Sequence, residues 1–541
     1  MGLLAAVVAS GTIARMLPAA LPLPVSLVQI ALGALIGSFG ALRVELDPEV
    51  FFLAFLPPLL FADSWQIPRE GLLRDKWTIL KLALGLVVFT VLGLGPLIHW
   101  MLPVMPLAVC FALAASVSPT DPVSVQAIAG RIKVPTRMLR ILEGEALLND
   151  ASGLVCMRVA VIAALTGGFS LSSALSLFLW LSLVGIALGI GVTLLITRVA
   201  AWIRRHFGEE SGSHILISVL TPFAVYLLAE HFGGSGILAV VAAGITMSYA
   251  ELMGDQGAGT RIRSLAVWDA IRFATNGVMF VLLGEQMPGI FTAALSQSRD
   301  HIGWPLPLVA LIIVLALAAL RFTWVWSSLR ITVFRSRRRG VPAPQPPVFL
   351  LLAASVAGVR GAVTLAGILT LPLTLPDGSP FPARELAIFL AAAVILLTLV
   401  AASFLLPPLI RHLHLPEENE LAAQEAAMRV QAAEAAIQAI GKEQHAMAEG
   451  RQDTDLYAEV SARLMDLYRR RLEGTAASET DAATNRRLVE IERELRLAAV
   501  RAERETILRA ARRRRINDEV RRKLIRELDI QEVRFLSMAG R

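Results

Sequence analysis

Glu145, Asn149, Asp150 and Arg360 stand inside segments otherwise built from Leu, Ala, Val, Ile and Gly. The carboxylates belong to EGEALLNDASGLV and the arginine to AASVAGVRGAVTLAG. Charge in apolar stretches of membrane-spanning length is costly, and such residues mark ion pathways by default. Asp150 carries the most specific chemistry of the four, because a carboxylate in a low-dielectric site can be poised to exchange a proton for a metal cation. Asn149 beside it offers a neutral amide oxygen. With Thr120 and backbone carbonyls the pair makes a hard oxygen site for a small alkali cation, one that holds the cation or the proton but not both. Context is what gives the dipeptide meaning, since Asn517 and Asp518 repeat it in a polar part of the chain, where they read as a solvated helix start.

Glu145 and Asn149 lie one helical turn apart on one face, while Ala146 and Asp150 share the neighbouring face. Glu145 is therefore close to the site without pointing the same way. Arg360 is expected as its counter-ion, in a buried pair that ties the sixth apolar segment to the twelfth and is severely damaged when one partner is lost. A competing reading pairs Arg360 with Asp150, to be displaced by the cation. Glu143, two turns before Asp150, reads as a helix-end charge or as part of an entrance. Asp63, Arg272, Asn276 and Glu285 read as interface or packing residues.

The elements that must position these groups are membrane helices. The chain has 541 residues, 55% of them hydrophobic, and its apolar stretches recur at spanning length roughly thirteen times. Among them are Leu107 to Ile128, Ile141 to Leu165, Leu306 to Trp326 and Val348 to Leu369. The opening apolar run lacks a charged n-region and a small-residue cleavage site, and so reads as a span. Lys and Arg cluster in alternate loops, for example at Arg131, Lys133, Arg137 and Arg140 and again at Arg335 to Arg339. By the positive-inside rule those loops and the carboxyl end are cytoplasmic. The net charge of +7 resides in the membrane part, where it sets orientation and meets anionic lipid, and no nucleic-acid partner is implied. Cys110 and Cys156 fall inside apolar spans, where no disulfide framework is plausible.

A composition shift near His414 divides a transmembrane domain, residues 1–414, from a helical cytoplasmic tail, 415–541. In the tail Ile516, Val520, Leu524 and Leu528 recur at helical spacing. Two membrane segments carry breakers at mid-span. Pro119 and Pro122 bracket Thr120 and Asp121 in the fifth, and Gly358 and Gly361 bracket Arg360 in the twelfth. If segments one to six and eight to thirteen are repeats, the breaks stand at matched positions, the best sequence pointer to a transporter's site. Asp121 is then either a second cation ligand or a structural group of the broken helix. No TVGYG-like filter run suggests a channel, and no HExxH motif suggests an intramembrane zinc enzyme.

FLPPLLFADSW at Phe55 to Trp65, SPTDPV at Ser118 to Val123, EGEALLND at Glu143 to Asp150, NGVMFVLLGEQ at Asn276 to Gln286 and GVRGAV at Gly358 to Val363 together resemble the sodium/proton exchangers of the first monovalent cation:proton antiporter family, bacterial type. The resemblance implies an all-α polytopic protein of about thirteen transmembrane helices with inverted repeats and two crossed, discontinuous helices. It implies a homodimer in the inner membrane of a bacterium, each protomer having a dimerisation part and a core part. It also implies electroneutral exchange of sodium or lithium for a proton by alternating access, with potassium as the rival cation. Asp150 is then the cation and proton carrier, Asn149, Asp121 and Thr120 stand near it, and Glu145 and Arg360 form the supporting pair. No cofactor is expected, and lipid and a regulatory partner or ligand at the tail are the expected company. Ala146 departs from the family, where serine is frequent, and removes a hydroxyl from the neighbourhood of the ion.

Overall fold

The computed structural model describes residues 2–16, 24–39, 48–67, 76–121, 136–167, 171–207, 210–253, 258–298, 305–338, 347–412, 419–448, 458–466, 468–469, 479–512, 524 and 527–532. Pro122, Asn517, Asp518, Ile516 and Val520 lie outside them. The described residues are helical apart from short connections, and their one β feature is an isolated bridge between Thr374 and Pro380. Two compact units divide the chain, Met1–Leu415 and Pro416–Arg541.

In the first unit the helices in chain order are α1 (Gly2–Met16), α2 (Val25–Ser38), α3 (Pro48–Gln66), α4 (Lys76–Met101, with a π-helical turn at Lys81–Leu86), α5 (Leu107–Ser116), α6 (Thr136–Thr166) and α7 (Leu171–Phe207). They continue as α8 (Ser211–His231), α9 (Gly236–Met253), α10 (Ala258–Ser298), α11 (Leu306–Arg338), α12 (Val348–Val356), α13 (Ala362–Leu369) and α14 (Arg384–Arg411). Seven of these, α4, α6, α7, α8, α10, α11 and α14, are long and apolar enough to cross a bilayer. Their outward faces are apolar too: on α7, Leu175, Leu179, Leu183, Ile186 and Ile190 are all exposed, as a helix bathed in acyl chains requires.

Two bundles compose this unit. Helices α1, α2, α3, α7, α8, α9 and α10 pack mainly with one another, and α4, α5, α6 and α11 to α14 do the same. Lighter contacts join the bundles, chiefly α10 with α14, α7 with α6 and α3 with α13. Lipid tails are as apolar as leucine, so helices associate in a membrane through close packing, and small residues permit it. Gly33 and Gly37 place α2 against the backbone of α10, where a side-chain carbon on Gly33 would run into the Val281 carbonyl. Gly185 and Gly189 repeat the device, setting α7 against the backbone at Ser235 and Ala239.

The second unit contains α15 (Asn419–Ala448) and α16 (Glu479–Arg512). Arg504 of α16 bonds Asp529 Oδ1 at 2.8 Å and also Glu532. That guanidinium holds the Glu532 carboxyl below its ordinary range.

Replacing Gly33 with valine should separate α2 from α10 and destabilise the first bundle by roughly 1–3 kcal/mol or more, the usual scale of overpacking. The thermal midpoint of the detergent-solubilised protein checks this, and an unchanged midpoint would mean that the two backbones do not meet there.

Candidate functional site

Helix α5 ends at Ser116, with Val117 N–H still reaching the Leu113 carbonyl at 2.9 Å, and the chain then runs non-helically through Pro119 to Asp121. Helix α12 ends at Val356, and residues 358–361 are non-helical until α13 begins. Proline at 119 and glycine at 358 and 361 explain both interruptions locally. The two breaks meet. Asp121 N–H donates to the Val359 carbonyl at 2.7 Å, and Ser116 Oγ donates to the Thr364 carbonyl at 2.9 Å. A side-chain carbon on Gly361 would come within 2.7 Å of Asp121 Cγ, so glycine there lets the aspartate sit against the start of α13. Helix α6 lies across the same place, since Gly153 has no room for a side chain beside Pro119.

Arg360 lies between the two broken segments and is 4% exposed. Its Nε donates to the Val117 carbonyl at 2.7 Å and its Nη1 to the Gly358 carbonyl, while its backbone N–H reaches Thr398 Oγ1 at 3.2 Å. Both carbonyls stand just past helix C-termini, where the backbone carries partial negative charge and lacks intrahelical donors. The arginine therefore supplies charge and donors to two helix ends at once.

The expected pair between Glu145 and Arg360 is not the one formed. Glu145, fully buried, makes a two-pronged ion pair with Arg321 of α11, Nη2 to Oε2 at 2.7 Å and Nη1 to Oε1, and Arg321 Nε also donates to the Ala354 carbonyl at 2.8 Å. The planar fork of a guanidinium matches a carboxylate in this way. Arg360 is turned toward the helix ends and leaves Glu145 to its neighbour. The pair thus joins α6 to α11 and, through Ala354, to α12. Arg321 carried a legible signal, standing alone in VLALAALRFTWVW, where the rule that singled out Asp150 applies equally.

Asp150 is 8% exposed and faces a cavity between the bundles. The second bundle lines it with Asp150, Thr120, Asp121 and Thr364, and the first with Asp63 and Asn276. Asn149, 1% exposed, donates from Nδ2 to Thr120 Oγ1 at 2.9 Å. Its Oδ1 has no hydrogen-bond partner, and neither has Thr364 Oγ1. Buried polar atoms are ordinarily satisfied, so these oxygens are acceptors available to a cation. Asp63 pairs with Arg272 Nε at 3.2 Å, and Arg272 also donates to the Ala62 carbonyl at 3.0 Å. These two pack α3 on α10, as their reading from sequence has it. That reading missed the wall that Asp63 and Asn276 form opposite Asp150, because the meeting of α3, α6 and α10 is a long-range fact with no local mark. Among the described residues no basic side chain pairs with Asp150, which leaves the competing Asp150–Arg360 pair unformed.

Broken helices crossing at the depth of buried charge, with a carboxylate-lined cavity between two bundles, define a multi-pass membrane protein of the secondary-transporter class. The chain belongs to the sodium/hydrogen exchanger family: residues 3–412 match its transmembrane domain, described as "Sodium/hydrogen exchanger, transmembrane". It is 40% identical over 532 residues to an Escherichia coli (strain K12) protein named as an uncharacterized Na(+)/H(+) exchanger, YjcE, covering 97% of this chain and 96% of that one. It is 45% identical over 394 residues to a Bacillus subtilis (strain 168) sodium, potassium, lithium and rubidium/H(+) antiporter, covering 71% and 57% of the two. Its fold resembles that of the sodium proton antiporter MjNhaP1 of Methanocaldococcus jannaschii, with a TM-score of 0.60 at 21% identity over 76% of this chain and 97% of that one.

Glu145→Ala and Arg321→Ala should each destabilise the detergent-solubilised protein, by roughly 3–5 kcal/mol if the remaining charge stays buried. The double replacement should cost clearly less than the sum, because neither charge is then stranded. Thermal midpoints of the four proteins measure this, and strictly additive losses would place the two residues in separate networks.

Proposed function

We propose that this chain is an electroneutral antiporter that exchanges sodium or lithium for a proton by alternating access. The observation that carries the reading is Asp150, buried and unpaired by any described basic group, beside an amide oxygen and a threonine hydroxyl with no partners of their own. A single carboxylate in such a place binds a cation or a proton, and one replaces the other with no change in net charge. Asn149, held to Thr120, presents its amide oxygen to the ion, and Thr120 and Thr364 add hydroxyl oxygens. Asp121, anchored at the crossing by its backbone and packed on Gly361, serves the broken helices and lends negative potential to the cavity.

Either ligand neutralises Asp150 and lowers the cost of carrying it past the apolar surface of the opposing bundle. An empty, charged carboxylate resists that passage. The cavity lies between the bundles, so motion of one against the other would expose it to the two membrane faces in turn. Coupling follows, because only the loaded or protonated carrier crosses. Two copies of the chain in a bacterial inner membrane, with the tail in the cytoplasm available to a regulatory ligand, complete the reading. Potassium stays in the substrate set because the Bacillus relatives are named for it.

In proteoliposomes an outward sodium or lithium gradient should drive proton uptake, and Asp150→Asn should reduce that movement to the level of empty vesicles. Rates should not respond to an imposed membrane potential. Full exchange by the Asp150→Asn protein would refute the assignment, and acceleration by the potential would refute electroneutrality. Sodium, lithium and potassium presented in turn to the same vesicles rank the cations.

A further inference from the structure

Among the described residues of the membrane unit, three ion pairs join one helix to another. Glu145–Arg321 lies inside the second bundle and Asp63–Arg272 inside the first. Arg158–Glu230 joins α6 of the second bundle to α8 of the first, Nη2 to Oε1 at 2.9 Å, with both side chains about one-third exposed.

Its position along α6 gives it meaning. Asp150, Leu154 and Arg158 follow one another at four-residue steps, which places Arg158 about 12 Å from Asp150 toward the C-terminal end of the helix. The more exposed wall of the cavity lies the other way: Asp63, 29% exposed in its side chain, lines it and lies within electrostatic reach of Glu143, on the N-terminal side of Asp150. Between Asp150 and Arg158 the helix is closed, with Ala151, Leu154, Val155 and Met157 all at most 3% exposed. The more exposed wall of the site thus lies on one side of Asp150, and on the other an ion pair fastens the bundles together.

The two partners are not held alike. Glu230 is fixed to its own bundle: Oε1 also accepts the Gly236 N–H at 3.0 Å at the start of α9, Gly234 N–H bonds Ala229 O at 2.8 Å, and Ser235 N–H bonds Leu181 O of α7 at 2.9 Å. If the bundles separate there, Glu230 keeps its backbone donor, and Arg158, already one-third exposed, turns to water or lipid headgroups. A pair with these properties can open and close without stranding a buried charge.

We propose that Arg158 and Glu230 form a latch that favours the state seen here and must part before the site is reached from the opposite membrane face. The latch rests on the antiport reading, as a pair of positioning residues that bias which face the site serves without touching the ion.

The test uses the full chain with Cys110 and Cys156 replaced by alanine and a reporter Leu154→Cys, buried between Asp150 and the latch. Adding Arg158→Gln should speed alkylation of the reporter by N-ethylmaleimide about two- to fivefold, the weight of a partly exposed charge pair in a two-state equilibrium, and Arg158→Lys should return it toward the parent rate. An unchanged rate in Arg158→Gln would overturn the latch. As an independent readout, Arg158→Cys with Glu230→Cys, joined by a reversible bifunctional thiosulfonate, should lose exchange and regain it on reduction. Undiminished exchange in the cross-linked protein would likewise overturn it. Alkylation needs no transport, so a chain that failed to exchange cations would refute the antiport reading while the latch was still judged by the reporter.

Discussion

Inside a bilayer, a helix that stops halfway leaves amide and carbonyl groups with no water to satisfy them, and this molecule stops two helices at the same depth. The crossing of α5 with α12 and α13 is possible because the freed groups are met locally. Asp121 N–H finds Val359 O, Ser116 Oγ finds Thr364 O, and Arg360 spreads its donors over the Val117 and Gly358 carbonyls. The rest of the site depends on that solution. It places Thr120 beside Asn149 and Thr364 in the cavity wall, and it keeps the Arg360 charge away from Asp150.

Two arginines divide work that one was expected to do. Arg360 neutralises helix ends, and Arg321 neutralises Glu145 while clasping Ala354 at the end of α12. They lie side by side around Gly358, where a side-chain carbon would come within 3.0 Å of both. With the positive charges committed to structure, the carboxylate of Asp150 has no resident counter-ion among the described residues. A permanent guanidinium partner would compete with every cation. Its exclusion is therefore as much a part of the site as the oxygens that are present.

Much of this was legible in the sequence because membranes make charge conspicuous. Asp150, Asn149 and Thr120 stood out from apolar surroundings, and Pro119, Gly358 and Gly361 announced the breaks that bring them together. Pairing was less legible. Choosing Arg360 for Glu145 followed from a plausible adjacency of segments six and twelve, but adjacency of helices does not say where a long side chain points, and carbonyls at helix ends left no trace in the sequence. Arg321, Arg158 and Glu230 were visible as charges within or at the ends of apolar helices. Their partners are far away in the chain, and only the fold, which brings α6 within side-chain reach of α11 and α8, reveals them. The same holds for Asp63 and Asn276, read from sequence as interface or packing groups, which line the cavity together with Asp150.

If one carboxylate serves both ions, a cation can enter only as a proton leaves. Calorimetric titration of the purified protein with sodium or lithium, in buffers of different ionisation enthalpy, measures that directly. Sharing of Asp150 predicts a heat that varies with the buffer and a proton release that approaches one for each cation bound below the pH at which the site titrates and falls toward zero above it, with both heat and release absent in Asp150→Asn. A binding heat independent of the buffer at every pH, or one that persists in Asp150→Asn, would contradict it.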